Sequence, residues 1–477
     1  MGNDRTKIVC RTTNHRLMQA LKVPKLNRYP HFFTTLGILK IALRSSYRYL
    51  VGSGGTNNRL VSEKPLSIDK NPYRESHRMK KQTFFILLHF LICLSFGQSD
   101  DAILKTLHTD LERIYAQDQI TGFSVAIVNQ DGIVFEKGLG YADRQAGKKY
   151  TENTVQNIAS ISKTFIGIAL LKAEELGKLH LDDPVNDYLD FKVINPHFPD
   201  VPITIRHLAT HTSSIKDAPE YESKGYILRK ENNGDAKVNK NFRPPAELMV
   251  LSHFLEEILS DSGAWYKKKN FLKNAPGELF EYSNIGAGLA ALVLEEATGV
   301  PFNEFTASFI FKPLGMSDSG WFLDEVNFSN YSKLYSDTEK EMAPYQLVNY
   351  PDGGLITSSH DLGLYLTELI SGFNGTGNIL TDESYEKLFT PYLTAKNFKE
   401  RNESVYNDEY NMGIFMGISA HGQIGHTGGD PGVATYMFFN TKTRIGKILM
   451  VNTDIDKEGV KEFSAVWKKL EEYETKF

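Results

Sequence analysis

The stretch Ser160-Ile161-Ser162-Lys163 lies near the start of an apolar helical run over residues 157–171. Residues three apart share one face of a helix, so the Lys163 amine can reach the Ser160 hydroxyl. Burial and the positive helix N-terminus both disfavour an ammonium group, which would lower the pKa of Lys163 towards that of a base. The pattern predicts an activated serine nucleophile. The alternative is a helix N-cap at Ser160 and a surface lysine at 163.

A second motif, Tyr282-Ser283-Asn284, stands between a Pro-Gly turn and a predicted helix over residues 285–298. The phenol of Tyr282 can move a proton between a serine and a leaving group, and the amide of Asn284 can hold a substrate carbonyl. The alternative is helix capping by Ser283 or Asn284, which leaves the tyrosine unexplained.

The third motif is His426-Thr427-Gly428-Gly429, which follows a predicted short strand at residues 423–425. Glycines let a substrate approach the backbone closely, so the N–H of Gly429 and that of Ser160 can form an oxyanion hole. The alternative is a glycine turn between two strands, which needs only permissive residues.

Four other segments accompany these motifs: Leu181-Asp182-Asp183-Pro184-Val185, His207-Leu208-Ala209-Thr210-His211-Thr212-Ser213, Lys312-Pro313-Leu314-Gly315-Met316 and Gly353-Gly354-Leu355. Together they resemble, over residues 102–470, the serine hydrolases of the class C β-lactamase and penicillin-binding family, which includes D,D-peptidases, D-aminopeptidases and esterases. The resemblance implies a β-lactamase/transpeptidase-like fold and an acyl-enzyme that water hydrolyses.

The resemblance also implies a role for each motif residue. Ser160 would be acylated, and Lys163 and Tyr282 would transfer protons, with the identity of the base left open because coupled groups do not titrate separately. It implies neither a cofactor nor a metal. The substrate-binding residues that it implies are Asn284, His426, Thr427, Gly428 and Gly429.

Two residues depart from the family pattern, and two others invite a different interpretation. His426 stands where lactamases of the family usually have lysine, and a histidine is mostly neutral near pH 7, which favours an esterase or peptidase. Ser214 replaces a usual glycine, and we expect it to change only a local turn. His207 and His211 stand four apart, but no glutamate lies between them as in zinc peptidases, so we predict no metal site.

The two ends of the region after residue 98 share a pattern of strands beside a helix. Apolar spacing predicts a helix at 103–114 and a hairpin at 123–135, then strands at 412–416, 433–439 and 445–451 and a helix at 460–470. The middle is mainly helical, with helices at 285–298 and 361–369. We predict an α/β (α+β) fold, in which an antiparallel sheet is flanked by the N- and C-terminal helices beside a mainly helical lobe. The motifs would lie in the cleft.

Residues 216–275 are polar and irregular in places. We predict a surface excursion here, which is either a lid or a solvated loop without a role.

Residues 1–78 differ in charge from the rest of the chain. They hold 15 Lys and Arg against 4 Asp and Glu, whereas the net charge of the whole chain is −4, so residues 79–477 carry −15. Met79-Lys80-Lys81, the apolar run 83–96 and Gly97 predict a signal peptide at residues 79–97, too short for a comfortable membrane span. Residues 1–78 would then be an upstream over-translation. A transit peptide and a basic nucleic-acid-binding leader are the alternatives.

The composition narrows the function. Both cysteines, Cys10 and Cys93, precede residue 98, which excludes disulfides, thiolate metal sites and a cysteine nucleophile from the region 98–477. Its acidity argues against nucleic acid as a partner. We therefore expect residues 98–477 to form an exported, periplasmic or secreted serine acyl-hydrolase with no stable membrane span, acting without a cofactor on small esters, amides or D-amino-acid peptides. A true β-lactamase and a penicillin-binding sensor without turnover are the alternatives.

Overall fold

Strands from both ends of the described chain form one antiparallel sheet. The computed structural model describes residues 102–232, 236–399, 410–419 and 421–477. Its strands are β1 (Gly122–Asn129), β2 (Gly132–Asp143), β3 (Lys148–Lys149), β4 (Gln156–Asn157), β5 (Tyr226–Leu228), β6 (Tyr345–Leu347), β7 (Ile356–Thr357), β8 (Tyr410–Met412), β9 (Gly417–Ser419), β10 (Gln423–Asp430), β11 (Val433–Asn440) and β12 (Gly446–Val451). The large sheet has the order β3-β2-β1-β12-β11-β10-β9-β8, and β4 with β7 and β5 with β6 form two small pairs.

Two adjacent interior strands of the large sheet, β1 and β12, are buried on both faces. Every residue of β12 and all but the last of β1 are buried, and the two strands pair in register from Phe123 opposite Val451 to Val128 opposite Gly446. A strand covered on both faces is apolar along its length rather than alternating. The predicted antiparallel sheet is therefore confirmed, and strands from the two ends of the described chain pair in its interior.

Helices precede, separate and follow these strands. In chain order they are α1 (102–115), α2 (Ser162–Glu175), α3 (Ile205–Ala209), α4 (Pro219–Lys224), α5 (Leu251–Leu259), α6 (Asn284–Thr298), α7 (Phe302–Thr306), α8 (Lys312–Leu314), α9 (Ser359–Phe373), α10 (Asp382–Phe389) and α11 (Lys457–Tyr473). The predicted helix at 285–298 is α6, and Gly299 ends it in the left-handed conformation, with φ 70°. The helix predicted at 361–369 is α9, which is longer at both ends.

The terminal helices and α9 cover opposite faces of the sheet. On β11, Tyr436 packs against Trp467 of α11, with ring centroids 5.2 Å apart. The next residue, Met437, points to the other face, where it shares a core with Leu366 of α9. Helix α1 lies beside α11, since Lys469 Nζ is 3.6 Å from a carboxylate oxygen of Asp110. The predicted flanking of the sheet by terminal helices is confirmed.

Helix α2 is buried along its first ten residues. Its Phe165 stacks on Tyr365 of α9 at 3.9 Å and meets Phe311 edge-on at 5.9 Å between ring centroids. A Cβ at Gly167 would lie 2.2 Å from the carbonyl oxygen of Ile414, so only glycine allows this approach. A helix that is apolar all round belongs in a core. This packing fixes α2 against α9 and the turn between β8 and β9.

The predicted strand at residues 412–416 is wrong. β8 ends at Met412 and β9 begins at Gly417, so the residues between them form the turn of a hairpin. Phe415 has a positive φ of 51°, and its N–H donates to the carbonyl of Ala209 at 2.9 Å. A short buried apolar run does not distinguish a strand from a turn that packs into a core.

The prediction of a surface excursion at residues 216–275 is also wrong for much of that segment. It contains α4, β5 and α5, and the side chains of Phe254, Leu255 and Ile258 on α5 are fully buried. β5 pairs with β6. The lysines at 267, 268, 269 and 273, which suggested a loop, lie after α5. The composition of the whole segment therefore hid the apolar face of this helix.

The predicted leader and signal peptide, at residues 1–78 and 79–97, lie outside the described residues. Among the described residues no single helix is long and apolar enough to cross a membrane. One pair, Asn284–Thr298 with Phe302–Leu314, meets the length and composition test together and is bent by 81°.

Candidate active site

Ser160 and Lys163 meet at the N-terminal end of α2. Ser160 lies in the 3₁₀ turn Ala159–Ile161, and Lys163 Nζ is 3.1 Å from Ser160 Oγ. Ser160 is the N-cap of neither this turn nor α2, and Lys163 is fully buried. The alternative of a capping serine with a surface lysine is therefore wrong. The geometry is that of a hydroxyl nucleophile beside a base.

The amine of Lys163 has a second partner in the backbone. Nζ donates to the carbonyl oxygen of Asp352 at 2.6 Å. Burial lowers the pKa of Lys163, and the nearby Asp352, Asp217 and Asp430 carboxylates oppose this shift. Because desolvation disfavours the ammonium form, the neutral amine is more accessible here than in a lysine exposed to water.

The sheet holds the turn that carries the nucleophile. Ala159, immediately before Ser160, is buried in a left-handed conformation with φ 51°. A Cβ at Gly428 of β10 would lie 2.2 Å from the carbonyl oxygen of Ile158, and Thr435 Oγ1 of β11 donates to that same oxygen at 2.8 Å. An uncommon backbone conformation persists where its surroundings fix it, and such places cluster at active sites.

Tyr282 stands beside this pair. Its ring centroid is 5.2 Å from Lys163 Nζ. The hydroxyl is buried and makes no hydrogen bond of normal geometry within the described residues, although Ser160 lies close enough to lower the pKa of the phenol in part. Burial dominates and raises the pKa of Tyr282. The phenol is therefore protonated at neutral pH and suited to donate a proton.

The rest of the second motif starts α6. Ser283 is the N-cap of α6, and its Oγ accepts from the N–H of Gly286 at 2.9 Å, so the capping alternative holds for this residue alone. The Asn284 Nδ2 donates to Asp217 Oδ2 at 2.8 Å, and the N–H of Ile285 donates to Asp217 Oδ1 at 3.1 Å. Asp217 thus fixes the orientation of the Asn284 amide. Sequence reasoning missed it, although it lies four residues after a segment that carries the family resemblance.

The third motif lies within a strand. β10 extends to Asp430 rather than ending at residue 425, so the glycine-turn alternative is wrong. β9 pairs with β10 only at Ile424 and Gly425, and the following part of β10 contacts the Ala159–Ile161 turn instead. A strand edge without a partner strand presents backbone N–H groups, which an oxyanion hole requires. Gly429 is exposed on this edge.

The side chains of the third motif alternate in direction. His426 faces Tyr282, with ring centroids 6.1 Å apart, and Gly428 lies on the same face two residues on. Thr427 points to the opposite face of β10, so its predicted place in the site is limited to its backbone, whose carbonyl lies 2.5 Å from His426 Nδ1. The Nε2 of His426 is buried without a partner in the described part of the chain.

The electrostatic environment keeps His426 neutral. Burial and the charge of Lys163 lower the pKa of His426 to about 4. A histidine with this lowered pKa supplies no permanent cation at neutral pH.

Two further carboxyl groups, missed by sequence reasoning, border the site. Tyr221 OH donates to Asp352 Oδ2 at 2.5 Å, and Tyr226 OH donates to Asp430 Oδ1 at 2.6 Å. Burial raises the pKa of Asp352 to about 6 and that of Asp430 to about 7. Their position in the sequence was a usable signal, since Asp430 follows the third motif directly and Asp352 precedes Gly353-Gly354-Leu355.

His207 and His211 accept hydrogen bonds from different parts of the chain. The Nδ1 of His207 accepts from the N–H of Thr204 at 3.2 Å, and the Nδ1 of His211 accepts from the N–H of Ser283 at 3.2 Å. Within the described ranges no group of three or more His, Cys, Asp or Glu residues could hold a metal ion. Ser214 has φ 65°, in the region that glycine prefers, and its Oγ accepts from Asn195 Nδ2 at 2.8 Å.

Known proteins are similar to this chain in sequence or in fold. Residues 107–470 match the family described as Beta-lactamase. The putative penicillin-binding protein PbpX of Bacillus subtilis (strain 168) is 28% identical over 341 residues, which are 69% of this chain and 70% of that protein.

Solved structures of other proteins have a similar fold. A penicillin-binding protein from Bacillus halodurans has a TM-score of 0.55 and 25% identity, covering 76% of this chain and 98% of its own. The D-amino acid amidase from Ochrobactrum anthropi SV3, complexed with L-phenylalanine amide, has a TM-score of 0.54 and 18% identity, covering 77% of this chain and 99% of its own.

Proposed function

The chain belongs to the β-lactamase family of serine hydrolases, and from that premise we propose that it hydrolyses small esters, amides or D-amino-acid peptides through an acyl-enzyme on Ser160. The observation that carries the proposal is the 3.1 Å separation of Ser160 Oγ from the fully buried Lys163 Nζ. A hydroxyl within hydrogen-bond reach of a desolvated amine is the arrangement that nucleophilic catalysis by serine needs.

We assign the role of base to Lys163. Burial lowers its pKa and raises that of Tyr282, so the two groups are displaced towards a neutral amine and a protonated phenol. Lys163 takes the proton of Ser160 as Oγ attacks the carbonyl carbon. Tyr282 donates its proton to the leaving group and regains one from Lys163. Water then cleaves the ester on Ser160, and the product acid leaves.

The charges around the site favour a substrate without a carboxylate beside the scissile bond. Lys163 is the cation whose charge acts on His426, Asp352 and Asp430, and it must lose that charge to act as the base. With His426 neutral, an anionic substrate group would meet carboxyl groups and no permanent counter-charge. This supports an esterase or amidase over a lactamase, whose substrates carry a carboxylate.

The first experiment labels the nucleophile. Purified protein is incubated with a fluorophosphonate and, separately, with a penicillin, and tryptic peptides are mapped by mass spectrometry. We expect fluorophosphonate on Ser160. Absence of that adduct from folded protein would contradict the proposal. A penicilloyl adduct that persists would support the sensor alternative, and rapid turnover of a cephalosporin would support the lactamase alternative.

The second experiment tests substrate charge with a matched pair, D-alanyl-D-alanine and its C-terminal amide. We expect kcat/KM to be about tenfold higher or more for the amide, because an unpaired charge in a partly buried site costs at least this much. Asp430→Asn, which removes one carboxylate, should narrow the ratio. A preference for the free acid would contradict this part of the proposal.

We also propose export, on the pattern at residues 79–97. Mass spectrometry of the intact protein purified from the producing cells tests it. A mature chain that begins near residue 98 is expected, and a chain that retains Met79 would contradict it.

A further inference from the structure

His211 is buried at the back of the site, and the reaction scheme assigns it no step. Its side chain belongs to a residue that is 1% exposed, and its backbone is left-handed, with φ 54°. A left-handed conformation is uncommon for any residue other than glycine, although histidine is among those that adopt it more often. The surroundings of His211 must therefore hold it in place, and three of its contacts are with one short part of the chain.

That part is Tyr282 with its two neighbours in sequence, which His211 contacts in three ways. The carbonyl oxygen of His211 accepts from the N–H of Glu281 at 2.8 Å. The Nδ1 of the imidazole accepts from the N–H of Ser283 at 3.2 Å. Between these two bonds, the imidazole lies on the Tyr282 ring, with centroids 4.4 Å apart and planes inclined by 33°. One residue thus fixes the backbone on both sides of Tyr282 and the face of its ring.

The imidazole is itself held from behind. The ring of Phe415 meets it edge-on at 5.4 Å between centroids, and the N–H of Phe415 is bonded to the carbonyl of Ala209. Because Nδ1 accepts a hydrogen bond, the ring proton is on Nε2. Burial, with smaller contributions from Lys163 and His426, holds the pKa of His211 well below its usual value, so the neutral ring keeps Nδ1 available as an acceptor.

We infer that His211 is a positioning residue, which holds the Tyr282 phenol in the orientation that proton transfer at Ser160 requires. The inference rests on the proposed function, since it assumes that Tyr282 transfers a proton. His211 touches no reacting atom in this scheme. Its effect should therefore appear in kcat and only when the Tyr282 hydroxyl is present.

The test is a double-mutant cycle on hydrolysis of p-nitrophenyl acetate. His211→Phe keeps a flat ring and removes the acceptor for Ser283, whereas His211→Asn keeps an acceptor and a residue tolerant of the left-handed backbone. We expect His211→Phe to lower kcat about tenfold or more with little change in KM, and His211→Asn to lower it less. In a Tyr282→Phe background, both substitutions should have little further effect on kcat.

Three outcomes are informative. Equal losses of kcat with and without the Tyr282 hydroxyl, or no loss in either variant, would overturn the positioning role. If His211→Phe does not fold, the cycle with His211→Asn decides alone. If Tyr282→Phe by itself has no effect on kcat, the proton-transfer role of Tyr282 is wrong, which is a failure of the proposed function. His207→Asn is the matched control, because it alters a half-buried histidine of the same segment that accepts a hydrogen bond from the N–H of Thr204, and it should leave kcat unchanged.

Discussion

The two sides of the candidate site differ in how their polar atoms are satisfied. On the helix side, formed by Ser160 and Lys163, the buried amine has both the serine hydroxyl and the carbonyl of Asp352 as partners. The other side, here called the loop side, consists of His211 and Tyr282 with His426 of β10 next to them. On this side the Nε2 atoms of both histidines and the hydroxyl of Tyr282 are buried without a partner in the described residues.

The difference follows from what each group costs to bury. An ammonium group without partners in a low-dielectric interior is far less tolerable than an unpaired neutral hydroxyl or imidazole. The helix side must therefore be fixed before any reaction, whereas the loop side can leave a neutral donor such as the Tyr282 phenol free. That free donor is the group to which we assign the transfer of a proton to the leaving group.

Removing the nucleophile should have the largest effect. Ser160→Ala is expected to lower kcat/KM by about 10⁴ or more and to leave the fold intact, because the proposed covalent route is lost. The rate of hydrolysis of an activated ester measures kcat/KM, and the far-UV circular dichroism spectrum measures whether the fold is intact. The control is Ser162→Ala, since the buried Ser162 Oγ accepts only from the N–H of Leu355 among the described residues. Ester hydrolysis by folded Ser160→Ala at the wild-type rate would contradict the assignment of the helix side.

Removing the free hydroxyl from the loop side should separate activity from stability. Tyr282→Phe is expected to lower kcat by about 10² or more, because proton transfer by a positioned group contributes this much. The melting temperature should change little, since the hydroxyl makes no hydrogen bond of normal geometry among the described residues. Tyr221→Phe is the counterpart, because it breaks the bond to Asp352 and should lower the melting temperature. A clearly lower melting temperature for Tyr282→Phe would contradict the difference proposed between the helix side and the loop side.

The pH dependence of the reaction tests whether Lys163, on the helix side, is the base. The neutral form of Lys163 is the active one, so kcat/KM should rise about tenfold per pH unit below the pKa that governs it and then level off. Burial lowers the pKa of Lys163 from its ordinary 10.5, so the plateau should begin below pH 10.5. A pH profile of ester hydrolysis, corrected for the spontaneous reaction, measures this. If kcat/KM continued to rise above pH 10.5, the assignment of the buried Lys163 as the base would be wrong.

The smallest expected effect concerns a carboxyl at the rim of the site. The pKa of Asp430 is raised from 3.8 to about 7 in the folded chain, so the folded state binds its proton more tightly than the unfolded state. Its contribution to stability is complete below pH 3.8 and is lost as the pH rises through 7. Between pH 5 and 8, Asp430→Asn should therefore lose less unfolding free energy than the wild type, by on the order of 1 kcal/mol after allowance for solvent screening.

Urea unfolding at the two pH values measures that difference. Asp131→Asn, at an exposed turn, serves as the control and should follow the wild type. An Asp430→Asn variant with the full wild-type loss between pH 5 and 8 would show that the carboxyl is not desolvated.

The sequence predicts the sheet, the terminal helices and the three motifs because each has a local signal. Apolar runs mark the buried strands β1 and β12, and serine with lysine on one helical face marks the helix side. The burial of Lys163 also follows, since the apolar run around it leaves no polar face.

The contacts that sequence reasoning missed are the ones between distant segments. Nothing near Asp217 indicates that it will hold Asn284, and nothing near His211 indicates that it will stack on Tyr282, because periodicity describes one element at a time. The same limit explains the errors at residues 412–416 and 216–275, where tertiary packing decided the local structure.

The pairing of β1 with β12 has a consequence for folding during synthesis. During synthesis the β1–β2 hairpin leaves the ribosome long before residues 446–451 are made. One edge of β1 therefore has no partner strand while the intervening helices are synthesised. An exposed apolar edge is a template for pairing with other chains, and contacts this distant in sequence form slowly. We therefore expect nascent chains that stop before residue 446 to depend on chaperones and to resist aggregation only once the final hairpin has closed the sheet.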